Sequence, residues 1–374
     1  MAPKIEFSLQ PELFDDLGPA MTVVLHDAAA GLEAIVVVDN VACGPAIGGV
    51  RMAPDVDVTE VARLARAMTF KNAAAGLAHG GGKAGIVADP GCDPFHKEQL
   101  LRAFARSIRT LTDYIPGPDM GTDERCMAWV KDEIDRAVGL PRVMGGIPLD
   151  EIGATGFGLA VAAETAAPAV GLALNGAAVV IQGFGAVGAH AARFLAAKGA
   201  RIVAVADSGG AIYDPAGFDV AQLIAYKQQG NSVHAYPDGE PLALDALIDV
   251  ACDIWIPAAR PDVLNGENVG RLETRMVLPG ANIPATPEAE EWLHRNGVLY
   301  IPDFIANAGG VICASVEYHG GTEQQALAAI EASIRRNVEA VLRRALSEDI
   351  PTVLAAQQIA RRRVEEAMGY RVHA

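Results

Sequence analysis

The sequence predicts an α/β protein with two domains, the second of them built on a doubly wound parallel sheet. Its 374 residues exceed the usual single-domain length by about two and a half times. Glycine and proline cluster between residues 138 and 158, which indicates a crossing between domains. Beyond that point, short β-rich runs alternate with loops and helical segments. We therefore expect domains at 1–145 and 146–334, with helices in 335–374 packing back on the first.

The first domain is predicted to begin with a β-hairpin and to continue through two helices. Two β-rich runs flank the small-residue segment AAAG, which is the pattern of a hairpin. Asp57 and Glu60 are spaced as a capping box at the start of a helix with apolar residues at three- and four-residue intervals. The predicted elements are strands at 22–26 and 32–39, a helix at 58–77, a glycine-rich turn at 80–85 and a helix at about 96–109.

The second domain is predicted from five short β-rich runs, each of which precedes a loop. Such an alternation is typical of a parallel sheet with helices on its faces. From Glu323 onward the chain consists almost entirely of helix-forming residues. The five runs are 177–182, 201–206, 253–256, 275–278 and 298–301.

Charge and composition exclude several classes of function. Thirty basic against forty-six acidic side chains give a net charge of -16, the wrong sign for coating nucleic acid or an anionic membrane. The eight histidines form no HExxH or similar cluster, so we expect no metal site. The five cysteines are widely spaced and the N-terminal segment has no signal-peptide pattern, which predicts reduced thiols and a cytoplasmic location.

A glycine-rich motif predicts a dinucleotide site in the second domain. Gly183, Gly185 and Gly188 form GxGxxG, with Val187 inside it, directly after an apolar run and before a helical pattern. Glycines at these positions let a pyrophosphate approach the backbone N–H groups of a helix N-terminus. A structural glycine turn is the alternative, but the complete βαβ pattern favours a Rossmann-type site.

The coenzyme is predicted from the end of the next strand. Asp207 is placed to accept hydrogen bonds from a ribose diol. The residues after it, Ser208 and Gly209, include no arginine to hold a 2′-phosphate, so NAD is favoured over NADP. Ala258, Asn282 and Asn307 follow further strands, where the two asparagines either contact the nicotinamide end or stabilise turns.

Two lysines and an aspartate are candidates for proton transfer. Lys83 follows three glycines, but the segment fails the GxxxxGK[ST] phosphate-loop pattern because Leu77 and Ala84 occupy the required Gly and Ser/Thr positions. A lysine buried among apolar groups has a lowered pKa and can serve as a general acid and base. Lys71 and Asp119 lie on other segments, and sequence spacing alone cannot bring the three together. For either lysine taken alone, a solvated surface charge is the better interpretation.

Taken together, these segments resemble the superfamily of glutamate, leucine, valine and phenylalanine dehydrogenases, from about Gly44 to Tyr318. The resemblance implies NAD-dependent, reversible oxidative deamination of an L-amino acid to a 2-oxo acid and ammonia. It also implies a substrate-binding and oligomerisation domain, an NAD-binding domain and an active-site cleft between them. The motifs are GGVR (48–51), MTFKN (68–72), GGGKAG (80–85), Pro118-Asp119, ATG (154–156), Gly183–Gly188, GAN (280–282) and NAGG (307–310).

The resemblance also assigns roles to single residues. Lys71 looks like the residue that holds the substrate α-carboxylate, and Lys83 like the catalytic lysine that polarises the carbonyl and activates water. Asp119 resembles the aspartate that exchanges protons with ammonia and the imine. Thr155 and Asn282 look like nicotinamide-side contacts, and Asn307 like an asparagine that lines the cleft.

The predicted pocket differs from that of glutamate enzymes. Those enzymes place a lysine just before the Gly-Gly of GGxR and a serine seven residues after the asparagine of NAGG, both to bind the side-chain carboxylate. Here the two positions are Ile47 and Ala314. A carboxylate buried there without a cation would cost several kcal/mol, whereas a leucine or valine side chain gains roughly 1.5–3 kcal/mol from burial. The pocket, with Gly48, Gly49 and Val311, therefore predicts a hydrophobic, branched-chain substrate.

Three alternatives stay open at this stage. A glutamate dehydrogenase would need another residue for the distal carboxylate, and Arg51 is the nearest candidate. Ala314 is smaller than the valine expected in a leucine enzyme, which leaves room for phenylalanine or methionine. The remote alternative is a non-catalytic dinucleotide-sensing protein. Loss of Lys83 or Asp119 would favour it, and both residues are present. We also expect a homo-oligomer, as is usual in this superfamily.

Overall fold

The computed structural model describes residues 14–371, whose contacts divide them into two units. Unit 1 comprises the described residues within 1–148, together with 311–326 and those of 359–371. Unit 2 comprises 149–310 and 327–358. No helix among the described residues is both long and apolar enough to cross a bilayer.

Unit 1 contains a five-stranded sheet in the order β1-β2-β4-β3-β5. The first two strands form the predicted antiparallel hairpin, which is confirmed. The second and fourth strands are antiparallel, whereas the third is parallel to both of its neighbours. The strands are β1 (Met21–Asp27), β2 (Leu32–Asn40), β3 (Ala46–Ala53), β4 (Gly80–Val87) and β5 (Tyr114–Pro118).

The segment predicted as a glycine-rich turn is instead the central strand β4, so that prediction was wrong. Its glycines are explained by close approach, because a Cβ on Gly81 would lie only 2.1 Å from the backbone nitrogen of Thr69. Gly81 thus allows a helix to pack directly on the strand. Turn-like composition masked this requirement in the sequence.

The two helices predicted in unit 1 begin close to their expected N-termini, and the sequence missed a third. Asp57 caps the first by accepting a hydrogen bond from the Glu60 backbone nitrogen at 2.8 Å. Its Val61 and Ala65 are buried against the sheet in a cluster with Ile35. The helices are α1 (Val58–Ala74), α2 (Pro94–Ser107) and α3 (Glu124–Ile134).

Unit 2 contains a seven-stranded sheet in the order β12-β11-β10-β6-β7-β8-β9. The five predicted runs are its parallel strands, and the sequence missed an antiparallel extension of two short strands. The strands are β6 (Ala178–Gln182), β7 (Arg201–Asp207), β8 (Gly210–Tyr213), β9 (Glu240–Leu242), β10 (Ile254–Pro257), β11 (Met276–Val277) and β12 (Leu299–Tyr300).

Six helices of unit 2 connect these strands or precede them. Helix α5 begins one residue before the Thr155-Gly156 motif, and α6 begins within the glycine motif that comes after β6. The helices are α4 (Leu149–Ile152), α5 (Ala154–Ala166), α6 (Ala186–Ala197), α7 (Val220–Gln228), α8 (Pro287–Arg295) and α9 (Asp303–Ala306).

The boundaries between units fall within the last three helices, α10 (Gly309–Tyr318), α11 (Glu323–Glu348) and α12 (Thr352–Met368). The sequence assigned 335–374 to the first domain, but 327–358 group with unit 2. The Ile334 side chain lies against Gly158, and Arg335 forms an ion pair with Glu164 at 3.0 Å. These contacts hold the middle of α11 to unit 2.

Candidate functional site

Lys83 lies on the central strand of unit 1 and is almost fully buried. Its side chain emerges from β4 with only 6% of its surface exposed. The Nζ atom lies 2.9 Å from Oδ2 of Asp119, which follows the end of β5. The structure therefore brings together two of the candidates that sequence spacing could not connect.

Arg51 of β3 contacts the same carboxylate. Its Nε atom lies 2.9 Å from Oδ2 of Asp119, and its Nη1 atom pairs with Glu60 on α1. A Cβ on Gly49 would lie 2.7 Å from the Asp119 Cβ, so only glycine allows the aspartate this position. The sequence proposed Arg51 for a distal substrate carboxylate, but the structure engages it with these two acids.

Burial and neighbouring charges shift both ionisable groups in this network. Burial, opposed in part by Asp119, lowers the pKa of the Lys83 ammonium, and the Arg51 charge lowers it further. Burial alone would raise the pKa of Asp119, but the two cations outweigh it and hold that pKa below its ordinary value. The carboxylate stays ionised, while the lysine is brought closer to releasing its proton.

Lys71 lies near the C-terminal end of α1, the helix that packs on β4. It is half-buried on that helix. The neighbouring Thr69 and Asn72 are buried against β4, and the Asn72 amide donates to the Gly80 carbonyl at 2.6 Å. Lys71 is thus carried by the same packed layer of helix and strand that holds Lys83.

Two of the residues predicted to choose the substrate side chain lie in one apolar cluster of unit 1. Ile47 of β3 and Ala314 of α10 are buried together with Ile115 and Val138. Gly48 is buried next to Ile47, and its carbonyl accepts a hydrogen bond from the Tyr114 hydroxyl at 2.9 Å. Val311 is half-buried one turn before Ala314. The side chains of this cluster are entirely apolar.

Sequence reasoning missed Glu317, one turn after Ala314 on α10. Its buried carboxylate accepts hydrogen bonds from the Leu140 nitrogen at 3.0 Å and the Ile147 nitrogen at 2.8 Å. Burial raises its pKa, and the backbone donors only partly oppose that effect. The carboxylate thereby fixes the segment after Val138 to the helix that carries Ala314. No sequence signal identified it, because its donors lie at least 170 residues away.

The glycine motif of unit 2 forms an open cradle at the start of α6. Gly183 has φ +104, and a Cβ on Gly188 would lie 1.9 Å from the Gly183 carbonyl oxygen. A Cβ on Gly185 would meet nothing within 4 Å, and this N-cap residue provides no side-chain cap. The unblocked helix N-terminus therefore fits a pyrophosphate group.

The remaining dinucleotide candidates lie in α5, in α6, at the end of α9 and on the loops after β10 and β11. A Cβ on Gly280 would lie 3.0 Å from the side chains of both Val187 and Ala258. The buried Asn307 amide donates to Asn282 Oδ1 at 3.0 Å and to the Ala281 carbonyl at 3.1 Å. Asn307 Oδ1 is buried without a hydrogen-bond partner, which leaves an acceptor available at this edge. Thr155 lies beside Gly310, whose Cβ would be 3.4 Å from the hydroxyl.

Asp207 departs from its expected setting. The sequence places it as the acceptor for a ribose diol, but its carboxylate is engaged by groups of unit 2. Ser232 donates from its hydroxyl at 2.7 Å, the Gly209 nitrogen donates at 2.8 Å and the Val233 nitrogen at 2.9 Å. Lys227 forms an ion pair with the same carboxylate.

Two family models match this chain, one over its N-terminal part and one over the rest. A family model described as Glutamate/Leucine/Phenylalanine/Valine dehydrogenase matches residues 145–371. A second, described as the Glu/Leu/Phe/Val dehydrogenase dimerisation domain, matches residues 20–136. The chain belongs to the Glu/Leu/Phe/Val dehydrogenase family. It is accordingly an oxidoreductase that acts on the CH–NH2 group of amino acids, in a family that uses NAD or NADP.

Curated relatives of this dehydrogenase include glutamate dehydrogenases. The enzyme of Aeropyrum pernix is 39% identical over 322 residues, which cover 81% of this chain and 77% of that relative. The NADP-specific glutamate dehydrogenase of Saccharolobus shibatae is 39% identical over 292 residues, covering 75% of this chain and 69% of that relative. Both of these relatives carry the name glutamate dehydrogenase.

The solved structures include a hetero-hexameric glutamate dehydrogenase from Thermus thermophilus in a leucine-bound form. It has a TM-score of 0.86 and 32% sequence identity to this dehydrogenase, and the match covers 98% of this chain and 94% of that one. The two-domain α/β fold predicted from the sequence is confirmed.

Proposed function

We propose that this dehydrogenase catalyses the reversible oxidative deamination of a hydrophobic, branched-chain L-amino acid to a 2-oxo acid and ammonia, with NAD as coenzyme. The observation that carries the proposal is the apolar cluster of Ile47, Ile115, Val138 and Ala314. It occupies the two positions from which glutamate enzymes bind a side-chain carboxylate. An aliphatic side chain of the substrate gains roughly 1.5–3 kcal/mol by burial against such a surface.

A glutamate dehydrogenase is the second candidate, because the curated relatives at about 40% identity carry that name. A distal carboxylate held against the apolar cluster would need a cation. Arg51 is the nearest sequence candidate, but its guanidinium already contacts Asp119 and Glu60. An unpaired buried carboxylate costs several kcal/mol, so the local chemistry weighs against glutamate.

The chain's own residues divide the reaction between them. When bound, NAD supplies a nicotinamide that takes a hydride from the substrate α-carbon. Lys71 holds the α-carboxylate, and Asp119 takes a proton from the substrate amine before that step. Lys83, with its lowered pKa, accepts a proton from the water that attacks the resulting imine carbon. Asp119 returns its proton to the carbinolamine nitrogen, and ammonia leaves as the C–N bond breaks and the hydroxyl group becomes the carbonyl. The hydroxyl proton and the proton held by Lys83 pass to solvent, so two protons are released for each ammonia and both side chains regain their starting protonation states.

The coenzyme is held by unit 2 in this proposal. The cradle of Gly183, Gly185 and Gly188 receives the pyrophosphate at the N-terminus of α6. Thr155 at the start of α5, Asn282 after β11 and Asn307 at the end of α9 would contact the nicotinamide end. Asn307 offers the buried, unpaired Oδ1 atom as an acceptor for an amide N–H.

A substrate panel tests the proposal directly. We expect kcat/KM for L-leucine or L-valine with NAD to exceed that for L-glutamate by about 100-fold or more, since side-chain selection of this kind contributes about 1–3 kcal/mol per contact. The kcat/KM values for L-phenylalanine and L-methionine show how large a side chain the space next to Ala314 accepts. A higher kcat/KM for glutamate than for leucine would contradict the proposal.

The pocket variant Ile47→Lys sharpens this test, with Ala314→Ser as its size-conserving partner. A lysine at position 47 supplies the missing cation, so the preference for leucine over glutamate should fall at least about tenfold. Ala314→Ser should change the preference less, because a hydroxyl supplies no charge. An unchanged preference in a folded Ile47→Lys protein would remove Ile47 from substrate selection.

We further propose that the chain works as a homo-oligomer assembled through unit 1. The matched N-terminal family model is described as a dimerisation domain, and the similar Thermus thermophilus structure is hexameric. Strand β1 lies at the edge of its sheet and exposes Met21 and Val24. Sedimentation equilibrium should give a mass of at least twice that of the chain, and a monomer would contradict this.

A further inference from the structure

The carboxylate of Asp207 has no acceptor position left for a ligand. Oδ1 accepts hydrogen bonds from the Gly209 nitrogen at 2.8 Å and the Ser232 hydroxyl at 2.7 Å. Oδ2 accepts from the Val233 nitrogen at 2.9 Å and from the Lys227 ammonium. An ionised carboxylate has about four acceptor sites, so the chain fills all of them.

The charge of Asp207 is also cancelled within the unit. The side chain is only 7% exposed, and Lys227 of α7 is its ion-pair partner. Burial alone would raise the pKa of Asp207, but Lys227 and the three other donors lower it to about 2. The carboxylate is therefore permanently ionised at neutral pH, and the pair carries no net charge.

An acidic residue at this position selects NAD in two ways. It accepts hydrogen bonds from the ribose diol, and its negative charge repels a 2′-phosphate. Neither property is available to Asp207, because the first needs a free lone pair and the second an uncompensated charge. The acidic residue of the motif is thus present, but it lacks the free acceptor and the uncompensated charge through which such a residue selects NAD.

Asp207 lies on the wall of a cavity that carries both cations and carboxylates. Asp207 and Ser208 line a cavity of about 690 Å³ that also reaches Gly183 of the glycine cradle. Arg260, which follows the end of β10, lines the same cavity and is exposed. Asp245, Asp262 and Arg271 are the other charged residues at the cavity wall.

We propose that Lys227 is a coenzyme-specificity residue, which neutralises and occupies Asp207 so that the site takes the 2′-phosphorylated coenzyme NADP as well as NAD. The inference rests on the proposed function of unit 2 as the coenzyme domain. Lys227 acts through Asp207, and it lies on α7, 20 residues away from Asp207 in the sequence.

Calorimetric titration with 5′-ADP and 2′,5′-ADP tests the inference without the nicotinamide or turnover. The two probes differ only in the 2′-phosphate. We expect the wild-type protein to bind them with dissociation constants within about tenfold of each other, or about 1.4 kcal/mol. A preference of more than about 100-fold for 5′-ADP would overturn the inference.

The variant Lys227→Met frees the Asp207 carboxylate and its charge. Binding of 2′,5′-ADP should weaken at least about tenfold relative to 5′-ADP. Lys198→Met is the matched control, because Lys198 pairs with Glu164 at 2.8 Å in the same unit, and the affinity ratio should stay unchanged. An unchanged ratio in Lys227→Met would overturn the inference.

Ser232→Ala decides the question if Lys227→Met does not fold. It releases one acceptor position on Oδ1 and keeps the ion pair, so 5′-ADP should bind a few-fold tighter while 2′,5′-ADP does not. If Ser232→Ala and the wild-type protein bound 5′-ADP with the same dissociation constant, the account would be contradicted.

Failure of this inference can be separated from failure of the proposed function. A protein that oxidises leucine with NAD but rejects 2′,5′-ADP keeps the proposed function and loses the inference. A protein that binds both probes equally but oxidises no amino acid keeps the inference and loses the proposed function.

Discussion

Two lysine–aspartate pairs, one in each unit, have the same composition and different surroundings. In unit 1, Lys83 and Arg51 both contact Oδ2 of Asp119, and among the described residues no hydrogen bond falls on Oδ1. In unit 2, Lys227 and three other donors fill both oxygens of Asp207. The first carboxylate can still exchange a proton with a ligand, whereas the second holds its own loops together.

The difference shows that a motif residue acquires its function from the number of donors around it. An aspartate next to a lysine is equally compatible with proton transfer and with structural support. Counting occupied lone pairs separates the two, since a carboxylate without a free lone pair cannot accept a substrate proton without first breaking an internal bond. The following variants test this distinction, from the largest expected effect to the smallest.

Asp119→Asn should cause the largest loss. An amide cannot exchange protons with the substrate amine, and it leaves the Lys83 ammonium without its counter-charge. We expect kcat to fall about 100- to 10,000-fold, while NADH binding measured by fluorescence is retained. A kcat within tenfold of wild type would show that Asp119 is not the proton-transfer group.

Asp207→Asn should lower the free energy of unfolding. The pKa of Asp207 falls from 3.8 to about 2 on folding. Because the folded-state pKa is lowered, its contribution is fully present above pH 4 and is lost as the pH falls towards 2. We expect urea unfolding at pH 7 to show a loss of about 2 kcal/mol, with the difference between variant and wild type shrinking in acid. If the free energies of unfolding of Asp207→Asn and wild type differed by the same amount at pH 7 and in acid, the stabilising role given to the Asp207 carboxylate would be refuted.

Arg51→Gln should shift the pH dependence of deamination. The guanidinium charge disfavours the Lys83 ammonium and so lowers the Lys83 pKa. Removing the charge raises that pKa, and the rise of kcat/KM with pH should move to higher pH. Arg102→Gln, in a surface ion-pair cluster of the same unit, serves as the control. A shift towards lower pH would contradict the role given to Arg51.

Glu317→Gln should have the smallest effect. The amide side chain offers one carbonyl oxygen, so one of the two backbone donors at Leu140 and Ile147 loses its acceptor, at a cost of about 1 kcal/mol. We expect KM for leucine to rise about three- to fivefold with kcat nearly unchanged. Glu323→Gln removes a more exposed carboxylate that pairs with Arg142, and it should leave KM unchanged. An equal change in KM in both variants would mean that Glu317 has no specific effect on substrate binding.

Local pattern was sufficient to predict the elements whose signals lie within one segment. The hairpin, the Asp57 cap and the βαβ unit around Gly183 each depend on residues close together in the chain. The fold class followed from the repetition of such signals along the second half of the sequence.

Long-range contacts account for what the sequence did not predict. Strand β4 looked like a turn because its glycines make room for α1, which is visible only once the helix is packed. The saturation of Asp207 needs donors from residues 227–233, and the role of Glu317 needs donors from a segment about 170 residues earlier. Only the resemblance to a family connected Lys83 with Asp119 before the structure did.

The most direct test of the distinction between the two pairs compares Lys83→Met with Lys227→Met, using turnover and the binding ratio of 2′,5′-ADP to 5′-ADP on the same preparations. We predict that Lys83→Met lowers leucine turnover at least about 1,000-fold and keeps the wild-type binding ratio. Lys227→Met should change that ratio at least about tenfold. Retained turnover in Lys83→Met, or an unchanged ratio in Lys227→Met, would contradict the account.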